Sequence, residues 1–299
     1  AMAGSGARVQ VGIAPAGSGK TTAMRALSIA WTEAGGTVLG LAPSAAAAAA
    51  LGAQIDTHTD TLAKLTWSIE HEDLPDWAAQ IGPRTLVVID EAGMADTLSL
   101  DAAVGHILAR GGSVRLIGDD QQLAAIGAGG VLRDIATRHG AARLNELVRF
   151  ADPAEGAASL ALRDGQPEAL GFYLDRGRVH VGDLATITDA VFDAWQTDRA
   201  AGLDTIMLAP THDLVADLNT RARTHRLADT LPGREVELAD GLAASVGDTI
   251  ITRTNDRRLR VSATDWVKNG DRWTITGITA GGGVRARHTR NHLSVVLPA

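Results

Sequence analysis

The sequence predicts an α/β fold built on a parallel sheet, and three apolar runs predict it. Val9–Ile13 ends in the small-residue loop Ala14-Pro15-Ala16-Gly17-Ser18-Gly19 ahead of a helical stretch, Thr85–Ile89 ends in Asp90-Glu91, and residues 113–117 end in Gly118-Asp119-Asp120-Gln121-Gln122. Each run delivers polar groups at its C-terminal end, where open α/β sheets bind ligands.

The first of these is a strand, a phosphate-cradling loop and a helix. Gly17 and Gly19 let the backbone turn N–H groups inward, where Gly17, Ser18 and Gly19 and the positive end of the helix can hold anionic phosphate. Lys20 would reach the β- and γ-phosphates of ATP, the Thr21 hydroxyl would ligate Mg²⁺, and Thr22 stands beside it in the first turn. Ala14 takes the place of the pattern's first glycine. A second strand is expected at Thr37–Ala42, followed by Pro43-Ser44 and an alanine tract that reads as a small-faced helix, because alanine is the best helix former.

Asp90 and Glu91 follow Lys20 by 70 and 71 residues. At a strand end they supply a Mg²⁺ ligand (Asp90) and a base to orient and deprotonate water (Glu91). A helix is expected over 98–110, and Gln122 at the third strand end is a candidate to report on the γ-phosphate. Trp67 and Trp77 read as packing residues rather than base-stacking platforms, and His58 and His71 as surface residues.

The second half predicts helical stretches with glycine breaks over 151–200, short strands at 178–181 and 205–209, and a helix through Leu214, Leu218 and Ala222. From residue 246 the pattern turns to short β runs, with hairpin signals at Asn269-Gly270 and at residues 281–283. Trp266 and Trp273 are candidates for core packing or base stacking, with the core preferred for at least one.

The chain of 299 residues has a net charge of −7, unevenly placed: residues 1–250 carry −13 and the remainder +6. The basic stretch is either a polyanion contact or a solvated β surface. Cysteine is absent, which excludes disulfides and thiolate metal sites, and no run reads as a membrane span or signal peptide, so a cytoplasmic location is expected. The histidines show no close metal-ligand spacing.

Together the motifs resemble the superfamily 1 helicases. APAGSGKTT resembles motif I, LAPSAAAAAAL motif Ia, THTDTLAKL motif Ib, VVIDEAGM motif II and GDDQQLAAIGAGG motif III. The details resemble the 5′-to-3′ branch, specifically the helicase region of TrwC/TraI-type (MobF) conjugative relaxases of actinobacterial type. LNELVRF, LALRDGQPEAL, RGRVHVGD, TIMLAPTHDLVADLN and DWVKNGDRW extend the likeness over essentially the whole chain.

The resemblance implies a P-loop NTPase with a RecA-like ATP-binding domain over residues 1–146. Part of a second RecA-like domain would follow over 147–245, with a small, basic, SH3-like β segment over 246–299. It implies that Gln122 couples nucleotide to DNA, and that Arg149 reaches across from the second domain to the γ-phosphate, the alternative being a surface ion pair. Pro43, Ser44, Thr61 and Lys64 would touch single-stranded DNA, with Arg253, Arg257, Arg258 and Lys268 holding strand phosphates.

Two departures accompany it. Gln122-Leu123-Ala124-Ala125 replaces the usual Gln-Leu-Pro-Pro, and nothing resembles motifs V and VI. The chain is therefore expected to be a fragment that binds nucleotide with weak or no unwinding, working with the other domains of a larger relaxase. A nucleic-acid-binding or regulatory module that keeps a nucleotide pocket without turnover and a P-loop kinase are the alternatives, the kinase disfavoured by Glu91 and by Gln121-Gln122.

Overall fold

The structure is a computed structural model that describes residues 2–122, 130–228, 233–263 and 265–298. The chain divides into two compact units, 1–172 and 173–299.

The first unit is the expected parallel sheet. Val9–Ile13 (β1), Thr37–Ala42 (β2), Thr59–Thr61 (β3), Thr85–Ile89 (β4), Ser113–Gly118 (β5) and Ala142–Arg143 (β6) lie in the order β3-β2-β4-β5-β1-β6, every pair parallel. The helices of this unit are Lys20–Glu33 (α1), Ala45–Ile55 (α2), Leu62–Glu70 (α3), Asp76–Ala79 (α4), Thr97–Ala109 (α5), Val131–His139 (α6) and Pro153–Arg163 (α7), with Ala169–Asp175 (α8) spanning the division. β4 is buried at all five positions, as a central strand covered on both faces must be. One apolar cluster, including Leu65, Val87, Ile89, Leu100, Ile107 and Leu116, fills one face of the sheet, and Met24, Leu27, Leu51, Ile55, Leu86 and Val88 fill the other.

The alanine tract forms α2, capped by Ser44, whose Oγ accepts the Ala47 amide at 3.1 Å. Its small face lies close on β2: a Cβ at Gly40 would stand 2.8 Å from Leu51 Cδ2 and 2.6 Å from Thr59 Cγ2. Arg115 on β5 is fully buried, and donates to the carbonyls of Met2 (2.8 Å) and Val114 (3.0 Å).

The second unit holds Leu184–Ala200 (α9) and His212–Arg226 (α10), packed through Phe192 with its ring centroid 6.3 Å from that of His225. Eight short strands follow: Glu235–Glu237 (β7), Ala243–Ser245 (β8), Thr249–Ile251 (β9), Asp256–Arg260 (β10), Trp266–Val267 (β11), Arg272–Ile278 (β12), Val284–His288 (β13) and Ser294–Leu297 (β14). They form a sheet in the order β14-β13-β12-β9 and the ribbons β7-β8 and β10-β11, all antiparallel, around a core centred on the fully buried Trp273.

Two expected strands and one expected hairpin are corrected here. Residues 178–181 and 205–209 form no strand, and Val181, Ile206 and Leu208 are 89%, 64% and 80% exposed. A β run holds only when a neighbour takes up its N–H and C=O groups, and no described strand lies beside either. Among the described residues the sheets after β6 are all antiparallel. Asn269-Gly270 does not close a hairpin, because β11 pairs with β10 and β12 with β9 and β13. Its backbone turns onto Thr252 instead, with Gly270 N–H donating to Thr252 O at 2.8 Å. The glycine run at 281–283 does close the β12–β13 hairpin.

Candidate functional site

β1 delivers the chain to the glycine loop in register with β5, and the Ala14 amide donates to Gly118 O at 2.9 Å. Gly17 and Gly19 then adopt φ of 85° and 79°, conformations open to glycine at little cost, which turn the loop back before α1 starts at Lys20. Ser18 is buried, and its Oγ has no hydrogen-bond partner. A buried hydroxyl left unpartnered in a glycine-rich turn ahead of a helix fits an oxyanion ligand. Thr21 and Thr22 stand exposed in the first turn of α1.

β4 brings the two acids to the same edge. Asp90 is buried, with its amide donating to Leu41 O at 2.9 Å. Glu91 lies in the left-handed region at φ 51° and donates its amide to Asp90 Oδ1 at 2.9 Å. That conformation costs a non-glycine residue of order 1 kcal/mol or more, and here it aims the Glu91 carboxylate at the loop. Lys20 Nζ sits 3.0 Å from Asp90 Oδ1 and is hydrogen-bonded to Glu91 Oε1. Burial pulls the Lys20 pKa down, but the two acids outweigh it and leave the pKa above the ordinary lysine value, so the ammonium is firmly charged. Lys20, Asp90 and Glu91 are thus brought together at the start of α1, with Thr21 the next residue of that helix. Among the described residues no cluster of three or more acidic or histidine ligands could hold a metal ion by itself.

Arg149 is brought to the loop, and both lie within the first unit. The Val148 amide donates to Gly17 O at 2.8 Å, and a Cβ on Gly17 would lie 2.7 Å from Arg149 Cβ. Gln122 is exposed beyond the end of β5, where the Gln121 amide donates to Asp119 Oδ1 at 3.1 Å. Leu123, Ala124 and Ala125 lie outside the described residues.

The other proposed contacts are dispersed. Pro43 and Ser44 follow β2, and Thr61 ends β3 with Lys64 just beyond it; the hydroxyls of Ser44 and Thr61 accept the amides of Ala47 and Lys64 as helix caps. Lys64 Nζ lies 4.5 Å from the centroid of Trp67, which is 45% exposed and stacked on His71, contrary to the packing role expected of it. Trp77 does pack on the core. In the second unit Arg253, Arg257 and Arg258 are exposed, Arg257 lies over Trp266 at 4.7 Å, and Lys268 is paired with Asp265.

Sequence reasoning missed Arg163. Its Nε donates to Asp119 Oδ1 at 2.9 Å and its Nη2 to Asp120 Oδ1 at 2.8 Å. Hydrogen bonding to Asp119 holds the guanidinium above its already high pKa despite burial. Nothing local marks this pair, because the partners are 44 residues apart.

A family model described as an AAA domain matches residues 1–184. The chain belongs to the AAA domain family. This AAA domain chain is 31% identical over 263 residues to the conjugal transfer protein TraA of Agrobacterium fabrum, covering 85% of this chain and 23% of the relative. It is likewise 31% identical over 275 residues to the probable conjugal transfer protein TraA of Sinorhizobium fredii, covering 90% and 24%. The chain thus spans about a quarter of the length of the relatives it matches. Among solved structures, an arterivirus nonstructural protein 10 (helicase) in complex with DNA is 16% identical over 52% of this chain and 40% of that one, with a TM-score of 0.33. The six-stranded parallel sheet and the glycine loop make the first unit an α/β P-loop NTPase fold of RecA-like type. Among the described residues no helix is long and apolar enough to cross a membrane.

Proposed function

We propose that this AAA domain chain is the ATP-driven motor region of a larger conjugative DNA-transfer protein, translocating along single-stranded DNA. The observation that carries the reading is the convergence of Lys20, Asp90 and Glu91 beside the glycine loop, with Arg149 laid against Gly17. The two relatives named as conjugal transfer proteins support the setting. Residues 1–146 would form the ATP-binding domain, 147–245 part of a second domain and 246–299 a basic DNA-facing segment. Unwinding by this stretch of chain alone would be weak.

The residues present fit Mg²⁺ and ATP. The amides of Gly17, Ser18 and Gly19 with Lys20 would hold the phosphates, and Thr21 and Asp90 the Mg²⁺, which when bound would neutralise charge on the phosphate oxygens. Glu91 accepts a proton from the attacking water as its oxygen bonds to the γ-phosphorus. The bond from that phosphorus to the β–γ bridging oxygen breaks, and ADP and phosphate leave. Arg149 would offset the charge that accumulates on the leaving oxygen, and Gln122 would pass the state of the γ-phosphate to the DNA side.

Steady-state ATP hydrolysis with and without single-stranded DNA tests this, with Glu91→Gln as control. DNA-stimulated hydrolysis lost in the variant is expected; failure to bind nucleotide overturns the reading. A second reading, nucleotide binding without turnover, is favoured by the Lys20–Glu91 ion pair, which occupies the proposed base. Binding with no DNA-stimulated phosphate release would select it.

A further inference from the structure

We infer that Arg163 is a positioning residue that ties the turn at 119–122 and the strap at 147–149 into one piece. The strap is the stretch lying on the glycine loop, and the turn is the stretch that ends in Gln122. The functional meaning of the tie rests on the nucleotide site proposed above.

The tie begins at the C-terminal end of α7. Arg163 Nε donates to both oxygens of Asp119, at 2.9 and 3.2 Å, while Nη2 reaches Asp120 Oδ1 at 2.8 Å. One planar fork thus grips two adjacent carboxylates, an arrangement the compact ammonium of lysine does not reproduce. The carboxylates are 4% and 7% exposed and the guanidinium 19%, so water does little to screen the bonds. Withdrawing the arginine would leave two buried acids with less compensation, which is what makes the grip hard to release.

The other end of α7 leads back to the strap. Asp152 caps the helix through the Ala154 amide at 2.8 Å, and Phe150 packs beside Gly156 in its first turns. Val148 donates to Gly17 O at 2.8 Å. A helix of 11 residues is a short rigid rod, so the strap at one end and the gripped turn at the other are joined through it. β6 adds a second link, because Arg143 Nη1 lies 3.5 Å from Asp120 Oδ2 four residues before the strap begins. Arg163 and Arg143 also line a cleft of about 180 Å³ with Pro15 of the glycine loop. Pro15 of the glycine loop and the gripped turn therefore both lie at the guanidinium, and the strap is joined to it through α7.

A merely structural ion pair would hold α7 on the sheet without linking the two segments. Hydrogen–deuterium exchange of the whole chain, without nucleotide, separates the two roles. In Arg163→Gln the amides of Gln121 and Val148 are both expected to exchange faster, by roughly tenfold or more, while those of β2 and β4 keep their protection. A rise in only one segment, in neither, or evenly through the first unit overturns the tie. If Arg163→Gln does not fold, Arg163→Lys is measured against the same criteria, with a smaller joint rise expected. Nucleotide affinity of the unmutated chain is measured separately: failure there removes the proposed function and leaves the exchange result to judge Arg163.

Discussion

The ammonium of Lys20 lies 3.0 Å from the buried carboxylate of Asp90, which has no other cation within ion-pair distance among the described residues. Lys20→Met should therefore do two separable things. Affinity for Mg–ATP should fall by about ten- to a hundredfold through loss of a charge-assisted bond to phosphate. The midpoint of thermal unfolding should also fall, because Asp90 loses its counter-charge. Adding Asp90→Asn should restore much of the melting temperature and none of the affinity, as read by calorimetric titration and thermal unfolding.

Glu91 at φ 51° gives a strain test that is independent of the ion pair. Glu91→Gly and Glu91→Ala both remove the carboxylate, so both should end ATP turnover. Only glycine relieves the left-handed backbone, so Glu91→Gly should be the more stable of the two by about 1 kcal/mol in urea unfolding.

Gly17 combines φ 85° with the close approach of Arg149, 2.7 Å from where a Cβ would stand. Gly17→Ala should destabilise the first unit by about 1–2 kcal/mol and weaken nucleotide binding, because the strap must move off the loop. Unfolding and nucleotide titration on the same sample check both effects.

Arg115 is buried against carbonyl oxygens, with no carboxylate in ion-pair range among the described residues, and burial lowers its pKa. Arg115→Ala should cost about 3 kcal/mol or more by leaving a cavity and unpaired carbonyls. Arg115→Met, which fills most of the space, should cost clearly less in chemical denaturation.

His106 on α5 is held below its ordinary pKa by burial first and then by Arg110, and its Nε2 has no partner. The unfolded chain takes up this proton first, as pH falls through about 6.5. The contribution to stability is therefore complete above that pH and lost as pH falls through the lower folded value. His106→Gln should flatten the stability profile between pH 7 and 5, while the losses tied to Asp96, Asp183 and Asp256, whose folded pKa values lie below 3.8, should remain at lower pH.

The candidate site was legible wherever its chemistry sits at the end of a continuous apolar run. Val9–Ile13 leads to Gly17, Gly19 and Lys20, and Thr85–Ile89 to Asp90 and Glu91, each within a few residues of a strand whose periodicity announces it. Trp67 misled because its hydrophobic character indicates burial, whereas its helix turns it outward over His71.

The sequence by itself determined β1, β2, β4 and β5 of the first unit, the acids and the glycine loop, since hydrophobic period and glycine conformation are local properties of the chain. Only the tertiary structure decided what meets across long separations. It laid Arg149 on Gly17, closed Arg163 on Asp119 and Asp120, and left residues 178–181 and 205–209 without strand partners. The physical reason is that an ion pair or a β ladder needs a partner distant in the chain, and neighbouring residues carry no record of which partner arrives.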